Sequence, residues 1–427
     1  MQNKFNSPKE FISWVEKQKR FSPKVSLDKM RYYCNLFDNP QTKFASIHIT
    51  GTNGKGSVVS YLRTIYMEKG LNIGTFTSPY ITVFNERISY NDIPISDEDL
   101  LNIGNRIIDK YSIIEKDGYE LPTFFEFITL ISFIYFAEQK DLDLAIIEVG
   151  MGGRLDATNV LNPLVSIITN VTLEHESILG STKEEILIQK LGIVKKNTPL
   201  ITAIKEDELL KTIESYLDDS NKLYLTDDCE ILSSTIKGNI FKANNKKYKT
   251  TLLGIHQITN ALTAIKTVEV INNLSIDNFR IDNKTLKAGL YKTKWPGRLE
   301  KVSKKPLILI DGGHNIDGIT KTCEFIKGLN ISDSTAVVSI SADKNLKEMI
   351  EILDGTFKEI VFTKYTYARS ADPQELYNLS NNENKMILND IDTSIDYVYS
   401  IKPKLTVFIG SLYLVSEVRP KILKRRK

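Results

Sequence analysis

A glycine-rich loop, Gly51-Thr52-Asn53-Gly54-Lys55-Gly56-Ser57, follows the β-branched stretch Ser46-Ile47-His48-Ile49-Thr50 and opens a helical pattern that runs to about Lys69. Glycines let a backbone approach phosphate oxygens, consecutive N–H groups then point into the turn, and the next helix presents its positive end. Lys55 supplies a mobile cation for terminal phosphates, and Ser57 a hydroxyl suited to the neighbourhood of Mg²⁺. The full GxxxxGK[ST] spacing is not met, because Ile49 stands where its first glycine would be and Gly56 separates Lys55 from Ser57. A plain glycine-rich turn could carry the same residues; the strand–loop–helix setting favours phosphate.

Three further clusters lie at the ends of apolar runs. Glu148 closes Leu144-Ala145-Ile146-Ile147 and leads into Gly150-Met151-Gly152-Gly153-Arg154-Leu155-Asp156. A carboxylate buried there needs a cation or metal partner; a structural pair with Arg154 is the competing reading. His175, one of four histidines, follows Thr169-Asn170-Val171-Thr172-Leu173-Glu174. It is either a structural histidine or an unusual ligand for a hard ion. Asp311-Gly312-Gly313-His314-Asn315 ends a later apolar run, as a nucleotide contact or as an ordinary tight turn.

The elements that must hold these residues alternate. Two amphipathic helices are expected within residues 8–38. Strands at Ser46–Thr50 and Ile73–Thr77, with a helix between, form a parallel βαβ unit. A helix over Thr123–Lys140 then leads to the buried strand Leu144–Val149, and Val165–Thr169 is another strand of that type. Residues 216–253 are polar, with short alternating runs, and read as a small antiparallel appendage; a helix over Thr259–Ile271 follows. The break Trp295-Pro296-Gly297 is a hinge candidate. Beyond it, runs at Leu307–Ile310, Thr335–Ile340, Glu359–Thr363 and Leu405–Ile409 make a second open sheet. The expected fold is therefore α/β in two domains. Residues 1–295 form a P-loop ATPase-type parallel sheet with the appendage, and residues 298–427 an open Rossmann-like sheet.

The whole chain sets limits. Its 427 residues exceed one ordinary core, so two domains are expected. The 56 basic and 53 acidic residues leave a net charge of +3, too small for a field that gathers nucleic acid or an anionic membrane. The basic run Arg419 to Lys427 reads as a solvated end. Cys34, Cys229 and Cys323 show no metal-ligand spacing and fit reduced thiols in a cytoplasm. The first residues run amphipathic without an apolar h-region, so a signal peptide is not expected there, and the most apolar stretch, residues 124–137, is too short to span a bilayer.

Taken in order, these blocks resemble folylpolyglutamate synthase and dihydrofolate synthase of the Mur ligase superfamily. The likeness extends through Thr77-Ser78-Pro79-Tyr80, Phe84-Asn85-Glu86-Arg87-Ile88, Phe124-Phe125-Glu126-Phe127, Gln189-Lys190-Leu191-Gly192 and His256-Gln257 with Asn260-Ala261. Trp295 through Glu300 and Gly410-Ser411-Leu412-Tyr413 continue it, so that it spans residues 26 to 416. The resemblance implies ATP held by Gly51 to Ser57, with Lys55 on the terminal phosphates. It implies two Mg²⁺ ions ligated by Ser78, Glu148 and His175. Lys190 matches a lysine that the family carries as a carbamate; from its own surroundings in the sequence it reads as a helix-surface lysine. Asn260, Arg298, Asp311 and His314 are implied nucleotide contacts, with Arg298 supplying positive charge to the chemistry, and Phe124 and Ser411 are weaker substrate candidates. Tyr80 replaces a common His, and Leu173-Glu174-His175-Glu176 a more usual Leu-Asp-His-Thr, which adds a charge near the implied metals.

The function implied is ATP-dependent addition of L-glutamate to a folate through an acyl phosphate. Dihydrofolate synthase activity on dihydropteroate stays open beside it. Such a transfer needs positioning and charge neutralisation more than a nucleophilic side chain. A peptidoglycan-type ligase would need a sugar-nucleotide domain in the 50 residues before Gly51, which are too few. A phosphate-loop regulatory ATPase leaves the second domain without a role. A cytoplasmic monomer is the expected form.

Overall fold

A computed structural model describes residues 4–19, 26–274 and 276–425. Among these, the strands form three sheets. The largest contains β1 (Ser46–Thr50), β2 (Ile73–Phe76), β3 (Ile88–Tyr90), β4 (Ile93–Pro94), β5 (Leu144–Glu148), β6 (Val165–Ile168), β7 (Leu200–Thr202) and β8 (Leu223–Leu225). Its order is β4-β3-β2-β5-β1-β6-β7-β8, parallel except where β3 meets β2 and β4. Every residue of β1, β2, β5 and β6 is buried, as expected of parallel strands covered on both faces.

The helix Phe124–Glu138 is apolar nearly all round and forms the centre of one core with Phe76, Ala145 and Ile147. Thr123 caps it: the Thr123 hydroxyl accepts the Glu126 N–H, and Glu126 accepts the Thr123 N–H at 2.8 Å. That reciprocal pair satisfies two backbone donors that a helix start otherwise leaves open. The expected helices within residues 8–38 form as Pro8–Glu16 and Leu27–Asn35, and residues 20–25 between them lie outside the described residues.

The second sheet is antiparallel, with β10 (Gly238–Ala243) between β9 (Glu230–Thr235) and β11 (Lys246–Thr250). The third contains β12 (Glu300–Lys304), β13 (Leu307–Asp311), β14 (Ser334–Val338), β15 (Glu359–Phe362), β16 (Lys385–Ile387) and β17 (Leu405–Ile409), in the order β12-β13-β17-β14-β15-β16. Only β12 runs antiparallel to its neighbour.

Two compact units result. One comprises Met1–Asp227 with Asn260–Leu290, the other Asp228–Thr259 with Tyr291–Lys427. The antiparallel sheet therefore counts with the second unit, whereas the sequence reading grouped it with residues 1–295. The reason is apolar: Leu253 and Ile236 pack into the core built from Leu299, Leu309, Ile319 and Val407. The basic C-terminal run is not simply solvated. Arg419, Lys421 and Arg425 form ion pairs with Glu300, Asp392 and Asp396.

Candidate active site

The register of the large sheet brings four loops to one edge. Ile49 pairs with Glu148, Thr50 with Ile168, and Phe76 with Ile147. The carboxyl ends of β2, β5, β1 and β6 are thus consecutive neighbours, where open α/β sheets bind ligands. From these ends leave Thr77-Ser78, Glu148–Asp156, the phosphate loop and Thr169–His175.

The phosphate loop is closed by the segment after β6. The Thr52 N–H donates to the Asn170 carbonyl at 3.1 Å, and the Asn53 N–H to Asn170 Oδ1 at 2.9 Å. Thr169 Oγ1 donates to the Asn53 carbonyl at 2.6 Å. Lys55 folds back over the loop and donates to the carbonyls of Gly51 and Thr52 at 2.8 and 3.1 Å. The helix Lys55–Glu68 starts from Gly54 in the left-handed region, and the Asn260 side chain packs against Gly54. Ser57 is buried in the first turn of that helix. Asn170 and Thr169 were not singled out from sequence; their signal is a polar pair directly after a buried β-branched strand.

Glu148 is 5% exposed, and one of its carboxylate oxygens accepts the Ser78 N–H at 3.3 Å. Ser78 and Glu148 therefore come together. His175 is exposed, in the left-handed region at φ 53°, with Nε2 3.8 Å from Glu174. Glu176 is exposed and opens the short helix Glu176–Leu179. Among the described residues, no three His, Cys, Asp or Glu side chains gather as a metal cluster. Divalent ions would need Ser78 and a modified lysine beside Glu148 and His175 to complete an oxygen-rich set.

Lys190 differs from its sequence reading as a surface lysine. It sits in the helix Lys183–Leu191, started by a Thr182–Glu185 capping box, and is only 3% exposed. Burial first, and the neighbouring Lys55 next, lower its pKa from 10.5 to about 7, against the opposing pull of Glu174. Desolvation disfavours the ammonium form. Lys190 thus feels both Lys55 and Glu174, and Glu174 in turn lies beside His175.

Phe124 lies beside Arg87, whose guanidinium carbon is 5.0, 5.6 and 5.3 Å from the ring centroids of Tyr80, Phe84 and Phe124. Such stacking holds a cation between aromatic faces. Tyr80, the departure noted after Ser78-Pro79, donates its hydroxyl to Glu16 at 2.9 Å.

In the second unit, Asp311 ends β13 beside Ile409 of β17. Its carboxylate accepts the N–H groups of Leu299 and Gly313 at 2.8 and 2.9 Å and the Thr322 hydroxyl at 3.0 Å. The turn containing Arg298 is thereby tied to the strand end, with the Gly312 N–H donating to the Gly297 carbonyl at 2.8 Å. His314 Nδ1 is 2.9 Å from the Gly312 carbonyl. Ser411 is buried and caps the helix Leu412–Lys424 by accepting the Tyr413 N–H at 3.1 Å.

Comparison with known proteins places this arrangement. Residues 49–268 match the Mur ligase middle domain, and residues 297–411 the Mur ligase, glutamate ligase domain. The chain is 36% identical over 430 residues to the dihydrofolate synthase/folylpolyglutamate synthase of Bacillus subtilis (strain 168), covering 98% of this chain and 100% of that one. The crystal structure of folylpolyglutamate synthase from Thermotoga maritima is 30% identical with a TM-score of 0.84, covering 98% and 97% of the two chains. An FPGS–AMPPCP–folate complex is 30% identical with a TM-score of 0.83, covering 97% and 99%. Among the described residues, no helix is long and apolar enough to cross a membrane. The chain belongs to the folylpolyglutamate synthase/dihydrofolate synthase family of the Mur ligase superfamily, a family of ATP-dependent glutamate ligases.

Proposed function

We propose that the chain extends a folate by one L-glutamate, acting in the cytoplasm as a monomer. A folate carboxylate oxygen attacks the γ-phosphorus of ATP, and the bond to the β–γ bridging oxygen breaks to release ADP. The glutamate amine, having lost its proton, then attacks the acyl carbon, and phosphate leaves as the amide forms. The observation that carries this reading is the meeting of a phosphate loop and a buried carboxylate on adjacent strand ends, with the buried Lys190 of the helix Lys183–Leu191 beside Lys55, in a chain that matches the family over nearly its whole length.

In this reading, the loop Gly51 to Ser57 cradles the phosphates and Lys55 offsets their developing charge. Asn260, Arg298, Asp311 and His314 are proposed nucleotide-binding residues, Arg298 adding charge to the phosphoryl transfer. Phe124 and Ser411 are proposed substrate contacts. Ser78, Glu148, His175 and carbamylated Lys190 would hold Mg²⁺, which supplies charge neutralisation on phosphate oxygens when bound. The lowered pKa of Lys190 supports the carbamate. Near neutral pH a large share of the amine is unprotonated, and its lone pair can add to CO₂ with loss of one proton.

Addition of the first glutamate to dihydropteroate is a second reading. It is favoured by the Bacillus subtilis relative, whose name carries both activities. Purified protein with ATP, glutamate and either tetrahydrofolate or dihydropteroate tests both. Phosphate release should require glutamate together with a pteroyl substrate. Release that ignores both co-substrates would rule out the ligase reading.

A further inference from the structure

Beyond Ser46 at its start, two polar side chains interrupt the buried strand β1 on the same face, His48 at 0% and Thr50 at 1% exposure. A strand covered on both faces is otherwise apolar, so each needs a partner. Both find it in the loop after β5. Thr50 Oγ1 donates to the Gly152 carbonyl at 2.5 Å, and His48 Nε2 lies 2.8 Å from Thr158 Oγ1.

The direction of the second bond follows from proton counting. The Thr158 hydroxyl has one proton and gives it to Asp156 Oδ1 at 2.5 Å. Asp156 also accepts the Thr158 N–H on Oδ1, and those of Gly150 and Met151 on Oδ2, all at 3.0 Å. Thr158 Oγ1 must therefore accept from His48, which assigns the proton to Nε2 and leaves Nδ1 bare. Nδ1 is indeed buried without a hydrogen-bond partner among the described residues. Burial keeps the ring neutral by lowering its pKa to about 3. An orphaned acceptor is a cost that a leucine would avoid, so the donated bond must matter.

The other end of the loop docks on the helix that carries Lys190. The Arg154 N–H donates to the Gln189 carbonyl at 2.7 Å, and Asn159 Nδ2 to the Gly192 carbonyl at 2.9 Å. A Cβ on Gly153 would lie 2.9 Å from the carbonyl oxygens of Gln189 and Lys190, so the two backbones meet closely. Lys195 Nζ donates to Asn159 Oδ1 at 2.6 Å.

We propose that His48 is a positioning residue which, through Thr158 and Asp156, sets the 150–159 loop and so places Lys190 beside the phosphate loop for carbamylation. The inference rests on the reading of Lys190 as the carbamylated lysine.

Two substitutions separate the bond from mere polarity. Gln places its amide nitrogen near the position of His Nε2, whereas Asn places its own near Nδ1, where no partner waits. Activity, KM for each substrate, thermal midpoint and dependence on added bicarbonate would be measured for His48→Gln, His48→Asn and Thr158→Val. Gln should stay within about twofold of wild type, while Asn should lose about tenfold or more in kcat, the worth of one buried hydrogen bond. The Asn variant should also need more bicarbonate for half-maximal activity, with KM for ATP little changed. Thr158→Val should reproduce the Asn phenotype, which keeps the test open should His48→Asn fail to fold. The double variant His48→Asn/Thr158→Val should be no worse than either single one. Equal effects of Gln and Asn, or a kcat loss with an unshifted bicarbonate requirement, would overturn the proposal. If wild type in CO₂-free buffer ignores bicarbonate, it is the Lys190 reading that falls.

Discussion

The hydroxyl of Thr169 stands where a side chain on Gly51 would begin: a Cβ there would lie 1.8 Å from Thr169 Oγ1. The same hydroxyl donates to the Asn53 carbonyl, so it cannot turn away without releasing the loop. The bare backbone at residue 51 is thus what allows the segment after β6 to close the phosphate loop.

Gly51→Ala should therefore displace the loop from the strand end. A shift near 1 Å at such a position costs on the order of 100-fold in kcat/KM, which initial rates against ATP concentration would record. An unchanged KM for ATP with wild-type kcat would mean that Thr169 yields the space.

Lys190→Ala should abolish turnover while ATP still binds, as calorimetric titration of the variant would show. Near-normal rates would leave Lys190 with only a structural role.

The lowered pKa of Lys190 also predicts a pH dependence of stability. The unfolded chain keeps this proton up to about pH 10.5, whereas the folded chain releases it near pH 7. Between those values the unfolded state binds more protons, so stability rises with pH across the window. Below pH 7 the penalty is fully present, roughly 5 kcal/mol. Lys190→Met, which has no proton to lose, should be the more stable protein at pH 7 in CO₂-free buffer. Its advantage should shrink as pH rises to 9, read from urea midpoints. A gap constant over that range would show that the buried ammonium is not what costs stability.

Asp311→Asn keeps the shape of the side chain but turns an NH₂ towards donors that need an acceptor. The turn through Leu299 should lose support, lowering stability by about 1–3 kcal/mol in chemical denaturation. A change under about 0.5 kcal/mol would assign the Asp311 contacts to the rim rather than the frame.

Much of the fold was legible because its signals are local. Buried β-branched runs announce parallel strands, the Thr123–Glu126 pair announces a helix start, and the glycine spacing announces the phosphate loop. Glu148 stood out for a similar reason, a carboxylate at the end of four apolar residues.

Other features depend on chain segments far apart. Nothing near Lys190 in sequence says that Lys55 and the loop after β5 will cover it, so it read as a surface lysine. The polar pair His48 and Thr50 explains itself only through partners about a hundred residues away. The antiparallel sheet joined the second unit because Ile236 and Leu253 found apolar neighbours beyond residue 297. Sequence by itself determined the strands that end at the site, the phosphate loop and the family resemblance, since each is written in types and spacings along the chain. Tertiary structure alone decided burial, and with it the charge state of Lys190, because desolvation depends on which distant surfaces come together.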